Sequence, residues 1–277
     1  MKIIYDLGSN NGDDIEYYLL KADKVIAVEA NSKLCSLICS RFKREIKSQK
    51  LTVINAAITD GQTGKIRFYV NKKYHWLSSL IPPKKDKADQ WEICTVDAIP
   101  IEELVNNHGS PFYMKIDIEG YDENILNALH NSNIRPPLIS AEAHTIGVFT
   151  ILSEKMGYKS FKMVDGQSVS KTYRSHKINV HSSNKQKYFS FKFHSAGPFG
   201  DDIKGDWLSK DFLLFNLGIQ GLGWKDIHAS SINEAHDCTL KRKLLKANKI
   251  LLIAFLSKIV NYIIAKYSCF TGRAKLK

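Results

Sequence analysis

The tightest constraint on the fold is a short apolar run that ends in a glycine-bracketed turn, followed by a second apolar run that ends on an acid. Ile3-Ile4-Tyr5-Asp6-Leu7 leads into Gly8-Ser9-Asn10-Asn11-Gly12, and Lys24-Val25-Ile26-Ala27-Val28 stops at Glu29. A strand, a ligand loop, a helix and a second strand with a carboxylate about twenty residues after the glycines form the βαβ spacing of nucleoside binding. The glycines admit backbone angles closed to other residues and let a ligand approach the main chain. Asp13 is expected to cap a helix starting at about Asp14. Taken alone, the loop also suits an ordinary strand-to-helix connection. A carboxylate at Glu29, able to accept from both ribose hydroxyls, favours the nucleoside.

The loop chemistry separates two kinds of nucleoside. A pyrophosphate wants G-x-G-x-x-G, whereas here the pattern is G-x-x-x-G with Ser9 in a spacer, and Asp6 would repel phosphate. An acid at position 6 suits the ammonium of an amino-acid tail, so S-adenosylmethionine is the expected ligand. Asp6, Gly8, Asn10, Asn11, Gly12 and Glu29 are its candidate contacts. An NAD-dependent oxidoreductase is the alternative that shares the βαβ unit and Glu29 while lacking this glycine fingerprint.

Asp6-Leu7-Gly8-Ser9-Asn10-Asn11-Gly12 with Glu29 resembles the first two motifs of class I S-adenosylmethionine-dependent methyltransferases. Three later segments narrow the likeness to the FkbM family: Asn55-Ala56-Ala57-Ile58, Lys115-Ile116-Asp117-Ile118-Glu119-Gly120-Tyr121 and Ser195-Ala196-Gly197-Pro198-Phe199-Gly200. The Lys-Ile-Asp-Ile-Glu-Gly string is specific; the glycine loop is widely shared. The resemblance spans residues 1–230. It implies an α/β, Rossmann-like class I methyltransferase fold: a mostly parallel seven-stranded sheet flanked by helices, with added β-strands and a C-terminal helix. It also implies O-methylation of a sugar, glycan or secondary-metabolite hydroxyl, and an active-site role for the turn at 195–200, whose other reading is a structural corner.

Length and composition agree with one α/β domain, residues 1–239, and a tail, residues 240–277. The 277 residues are 44% hydrophobic and 25% charged, the balance of an ordinary globular protein. Net charge is +12, but residues 241–277 hold ten Lys/Arg and no Asp/Glu, which leaves about +2 for the rest. The basic character belongs to the tail, and nucleic acid is not the expected partner. Residues 250–265 are apolar, broken by Lys258 and Asn261, and shorter than a bilayer span needs. A helix there would lie in an anionic membrane surface or dock on protein. A non-catalytic module recruited through this tail is the third functional class. Five cysteines, an odd number without dense spacing, argue for a reducing compartment. Cys35 and Cys39 read as apolar filler. Met1-Lys2 runs at once into the first strand, so a cytoplasmic protein is expected.

Further along, Ser32 is expected to cap a helix reaching Lys47, with Leu34, Leu37, Ile38 and Phe42 on its core face. Leu51–Ala57 reads as the third parallel strand, bringing Asn55 and Ala56 to the pocket, where by position and resemblance they contact adenine. Lys65–Val70 alternates as an antiparallel strand. Asn71–Trp91 has no period and reads either as a lid or as a solvated excursion. Pro111–Asp117 is the fourth strand, Leu138–His144 the fifth and Tyr158–Val164 the sixth, with helices expected over Tyr121–His130 and Ile146–Met156. Asp165–Lys187 is irregular, Tyr188–His194 and Asp211–Leu217 read as strands, and Gly221–Ile227 as a turn.

Ligands of an open α/β sheet bind beyond the strands' carboxyl ends, at the point where strand order reverses. Asp117 is therefore expected at the cofactor's methionine end, with Glu119, Glu142 and His144 beside it. His144 or Glu142 is the candidate general base and Glu119 the reserve, because an imidazole titrates near neutrality. A divalent cation held by Asp117, Glu119 and Glu142 is the mechanistic rival. No spacing in the sequence demands a metal.

Overall fold

The computed structural model describes residues 1–183 and 185–236. The strands are β1 (Ile3–Leu7), β2 (Lys24–Val28), β3 (Leu51–Ile54), β4 (Ala57–Thr59), β5 (Gly64–Asn71), β6 (Trp91–Pro100), β7 (Tyr113–Ile116), β8 (Leu138–Glu142), β9 (Ser160–Asp165), β10 (His176–Asn179), β11 (Gln186–Phe189) and β12 (Lys225–Ser230). The helices are α1 (Ile15–Lys21), α2 (Ser32–Arg41), α3 (Lys43–Lys47), α4 (Ile101–His108), α5 (Asp122–Asn131), α6 (Ile146–Thr150), α7 (Val169–Thr172) and α8 (Lys210–Gln220). The basic tail and its expected helix lie outside the described residues, as does the boundary at 239/240. No helix among the described residues is long and apolar enough to cross a membrane.

Seven strands form one sheet in the order β3-β2-β1-β7-β8-β12-β9. All pair in parallel except β12, which runs against both β8 and β9. The order reverses between β1 and β7, so the carboxyl ends of these two strands open the crevice where ligands bind.

Alternation along the strands builds a core on each face. Ile3, Tyr5 and Leu7 of β1 face one way with Ile26 and Val28 of β2, against Leu104 of α4, Leu126 of α5 and Leu213 of α8. Ile4, Val25 and Ala27 face the other way, against Ile15 and Tyr18 of α1 and Ile38 of α2. The strands are thus buried on both faces, which is why they read as unbroken apolar runs. A separate three-stranded sheet, β4-β6-β5, carries the added antiparallel pair β5/β6.

Several local expectations are corrected. The third strand ends at Ile54, and Ala57–Thr59 leaves the main sheet to pair in parallel with β6. Asp14, not Asp13, occupies the N-cap of α1, and Asn31 caps α2 by accepting the Lys33 N–H. The α2 helix breaks at Phe42, and Leu37 is 43% exposed and outside the core. Within the stretch expected to be irregular lie α7 and β10. The strand expected over Tyr188–His194 is β11, shifted toward the N-terminus, where it pairs with β10. Asp211–Leu217 is helical: Phe212-Leu213-Leu214-Phe215 has no period of two, and Gly221 terminates α8 with a left-handed φ of 73°. The turn expected over Gly221–Ile227 ends at Trp224, because Lys225, Asp226 and Ile227 already belong to β12.

Candidate active site

The carboxyl ends of β1, β2, β7 and β8 surround a cavity of ≈ 390 Å³. At one end stands Glu29, whose carboxylate accepts the backbone N–H groups of Asn10 at 2.8 Å and Asn31 at 2.7 Å. Burial raises its pKa to about 7, against those two hydrogen bonds. Gly8, Asn10, Ala56, Ile58 and Phe68 also line the cavity. The side-chain oxygen of Asn10 is buried with no partner, a free acceptor beside Glu29.

Other predicted cofactor contacts do not line this cavity. Asp6 pairs in register with Lys115, and its buried carboxylate lies 3.5 Å from the Lys115 ammonium. That lysine also lies 3.2 Å from Asp117 and donates to the Gly8 carbonyl at 3.0 Å, so the ammonium expected opposite Asp6 belongs to the chain itself. Burial holds the Asp6 carboxyl above its usual range, with Lys115 opposing the shift. Asn11 bonds Asp13 with both side-chain atoms. Gly12 packs tightly beneath Ile38, Ile15 and Phe42. Asn55 donates to the carbonyls of Glu29 at 2.8 Å and Ala30 at 3.1 Å, fastening the end of β2 from outside the cavity.

At the opposite end Asp117, Glu119, Glu142 and His144 line the wall together. His144 Nε2 lies 2.9 Å from Glu142 Oε2 and 4.0 Å from Glu119 Oε2. The hydrogen bond to Glu142 raises the imidazole to about 9, opposed by burial. Glu119 is pushed up to about 9 by burial and then by Asp117 and Glu142, and Glu142 itself is raised by burial. Asp226 of β12 stands in register with Glu142, and burial, followed by Asp117 and Glu142, holds its carboxyl well above the usual range. Sequence reading missed this acid because β12 was read as a turn.

Glu119, Glu142 and His144 each offer one ligand atom within 4.8 Å of the others. This differs from the expected metal set, since Asp117 is engaged by Lys115 and His144 takes its place.

Two further features close the cavity. The connection between β5 and β6 folds over it, contributing His75, Trp76, Leu77, Ser78 and Leu80. Ser79 anchors that connection by donating to the Glu119 carbonyl at 2.7 Å. His194 and Trp224 complete the wall from distant segments. The turn at 195–200, by contrast, contributes no lining residue: Ala196 N–H donates to Asp14 Oδ2 at 2.9 Å, and Phe199 stacks on Tyr113 with ring centroids 4.0 Å apart.

The family model described as the methyltransferase FkbM domain matches residues 6–160. The chain belongs to the FkbM methyltransferase family. The match runs from within β1 through His144 to the start of β9, so His194 and Trp224 of this FkbM-family chain fall beyond it.

Among solved structures, a methyltransferase FkbM from Methylobacillus flagellatus KT is 16% identical over 59% of this chain and 40% of its own, with a TM-score of 0.41. A precorrin-6y C5,15-methyltransferase from Geobacter metallireducens GS-15 is 13% identical over 82% of this chain and 79% of its own, with a TM-score of 0.36. A tRNA (m1A58) methyltransferase from Aquifex aeolicus is 9% identical over 84% of this chain and 63% of its own, with a TM-score of 0.35. No curated protein matches the chain.

Proposed function

We propose that the chain transfers a methyl group from S-adenosylmethionine to a hydroxyl oxygen of a sugar, glycan or secondary metabolite. The observation that carries this reading is the 2.9 Å hydrogen bond between His144 and Glu142, on the wall of the cavity whose other end is Glu29. S-adenosylmethionine, when bound, supplies a methyl group already activated by its sulfonium. The residues fit it: Glu29 for the ribose hydroxyls, the unpartnered Asn10 oxygen beside it, and Ala56, Ile58 and Phe68 as an apolar surface for the purine. Family membership favours this cofactor over the nicotinamide alternative.

The chain has two tasks, to align the acceptor and to take its proton. Alignment is worth up to roughly 7–11 kcal/mol in favourable cases, and general-base help about 10²–10⁴ in rate. Glu142 holds His144 through Nε2 and leaves Nδ1 to receive the hydroxyl proton. The Glu142 carboxylate, hydrogen-bonded to the ring, favours the positive charge that develops on the imidazole. His144→Ala is expected to bind S-adenosylmethionine as the wild type does, by calorimetry, and to lose about 10²–10⁴ in kcat. Wild-type turnover would remove His144 from the mechanism. The acceptor is to be found with labelled S-adenosylmethionine across fractionated cell extract, followed by identification of the labelled product.

A second reading rests on ligand spacing at the same end. Glu119, Glu142 and His144 would each offer one ligand atom to a divalent ion, all within 4.8 Å of one another. Glu142 and Glu119 stand 2.9 Å and 4.0 Å from His144 Nε2. An ion there would acidify the acceptor hydroxyl in place of the imidazole. Unchanged turnover after thorough chelation excludes an essential metal; loss restored by Mn²⁺ favours it.

A further inference from the structure

Three non-glycine residues on the cavity wall hold left-handed backbone: Asn10 with φ 49°, Glu119 with φ 52° and His194 with φ 69°. Such conformations are strained for a residue with a Cβ and persist where the surroundings enforce them. The first two belong to the cofactor loop and to the acid/base cluster. His194 has had no role assigned.

The chain on either side of His194 is fastened to the start of α1. Lys192 Nζ lies 2.8 Å from Asp13, and Ala196 N–H donates to Asp14 at 2.9 Å. Between these anchors the imidazole sits in a stack of three rings. Its ring centroid lies 4.8 Å from that of Trp76, tilted by 30°, and 5.1 Å from that of Trp224 at 25°. Trp224 is held against Gly166, where no side chain could stand, and its carbonyl accepts the Gly166 N–H at 3.0 Å. Among the described residues none hydrogen-bonds a ring nitrogen of Trp76, His194 or Trp224. The stack therefore presents an apolar surface with unused polar edges to the cavity, the composition of a ligand wall.

Charge narrows what that wall can take. Glu29, Asp117, Glu119 and Glu142 line the cavity, and among the described residues no Lys or Arg does. A phosphate ester would meet carboxylates without the cationic partners that phosphate recognition uses. An uncharged ring alcohol meets no such penalty: its C–H surface packs on indole and its hydroxyls pair with imidazole and carboxylate.

We propose that Trp76, His194 and Trp224 form the acceptor wall of this cavity and select an uncharged ring alcohol, with His194 hydrogen-bonding a hydroxyl next to the one methylated. The proposal rests on the methyl-transfer reading of the same cavity. Its test is indole emission of the full chain saturated with S-adenosylhomocysteine and titrated with methyl α-D-glucopyranoside, methyl α-D-mannopyranoside, methyl α-L-rhamnopyranoside and glucose 6-phosphate. At least one neutral glycoside is expected to bind, about tenfold or more tightly than the phosphate. His194→Ala should weaken that glycoside about tenfold, His194→Gln should recover most of the loss, and both should bind S-adenosylhomocysteine within about twofold of wild type. Trp76→Ala, on the connection between β5 and β6, should weaken the glycoside in the same way and serves if His194→Ala fails to fold. With a found acceptor, His194→Ala raises KM more than it lowers kcat. Binding of no glycoside, equal binding of the phosphate, or wild-type glycoside affinity in both alanine variants would overturn the proposal alone. Failure of the wild type to bind S-adenosylhomocysteine would overturn the methyl-transfer reading beneath it.

Discussion

Gly8 and the carbonyl oxygen of Asp117 lie so close that a side chain at position 8 would collide with that oxygen. The contact joins the ends of β1 and β7 at the reversal of strand order, and Gly8 holds a left-handed φ of 79° there. Gly8→Ala is therefore expected to pay twice, about 1–2 kcal/mol for the backbone and more for moving Asp117. Chemical denaturation should show a loss of at least about 2 kcal/mol, and calorimetry at least about a tenfold weaker affinity for S-adenosylmethionine. Wild-type values for both would show that the two strand ends move apart freely.

Glu29 titrates where its charge can be switched. With its pKa raised to about 7 by burial, the carboxylate proposed to accept the ribose hydroxyls forms as pH rises through neutrality. S-adenosylmethionine affinity should increase several-fold between about pH 6 and pH 8 in the wild type and stay flat in Glu29→Gln, which should bind about tenfold more weakly at the upper pH. An equal pH dependence in the two proteins would place the titrating group elsewhere.

The His144–Glu142 pair sets the direction of the pH–rate profile. A base must be unprotonated, and the hydrogen bond to Glu142 holds His144 up at about 9. The acid limb of kcat/KM, which reports the free enzyme, should therefore lie on the alkaline side of neutrality. Glu142→Gln removes the charge that stabilises the imidazolium, so the limb should move toward about 6.5 while the maximum rate falls. A limb that stays in place would mean that another group titrates.

His228 makes stability pH-dependent in one direction. Its ring is 2% exposed and stacks near Tyr113, and burial, followed by Lys162, lowers its pKa to about 3. The unfolded chain takes up the proton near about 6.5 and the folded chain does not. This residue costs nothing above that pH, and below it the fold loses roughly 1.4 kcal/mol per pH unit until the folded value is reached. His228→Phe keeps a ring and abolishes the titration. Between about pH 7 and pH 5 the variant should therefore lose roughly 2 kcal/mol less than the wild type in denaturant titrations. Parallel losses would show that the buried ring is protonated in the folded protein.

The parts of this molecule that were legible in the sequence are those whose signal is local. The β1 loop, Glu29 and the run from Lys115 to Glu119 carry strand, turn and acid within a few consecutive residues, and they do converge. Asp6 misled because a residue in a strand faces one side only, and its side chain pairs across to Lys115 rather than opening on the cavity. In α8 four adjacent apolar residues erased any period, and in β12 Asp226, His228 and Ser230 turn polar side chains into the interior, so neither element looked like itself. The stack of Trp76, His194 and Trp224 is invisible for a different reason: three far-apart segments supply one ring each, and only the folded sheet brings them together.

The antiparallel strand β12 reaches further than its short length suggests. It is the last strand of the described chain, yet it lies between β8 and β9, which do not pair with each other. During synthesis β8 must wait with one side open until residue 230 has emerged. The sheet is closed from its interior, by a late insertion that pairs with two strands already made. Long-range pairing of this kind is slow and exposes an unpaired edge while it waits. A chain cut before Lys225 would lose the shared neighbour that joins β9 to the rest of the sheet, along with the partner that holds Glu142 in register.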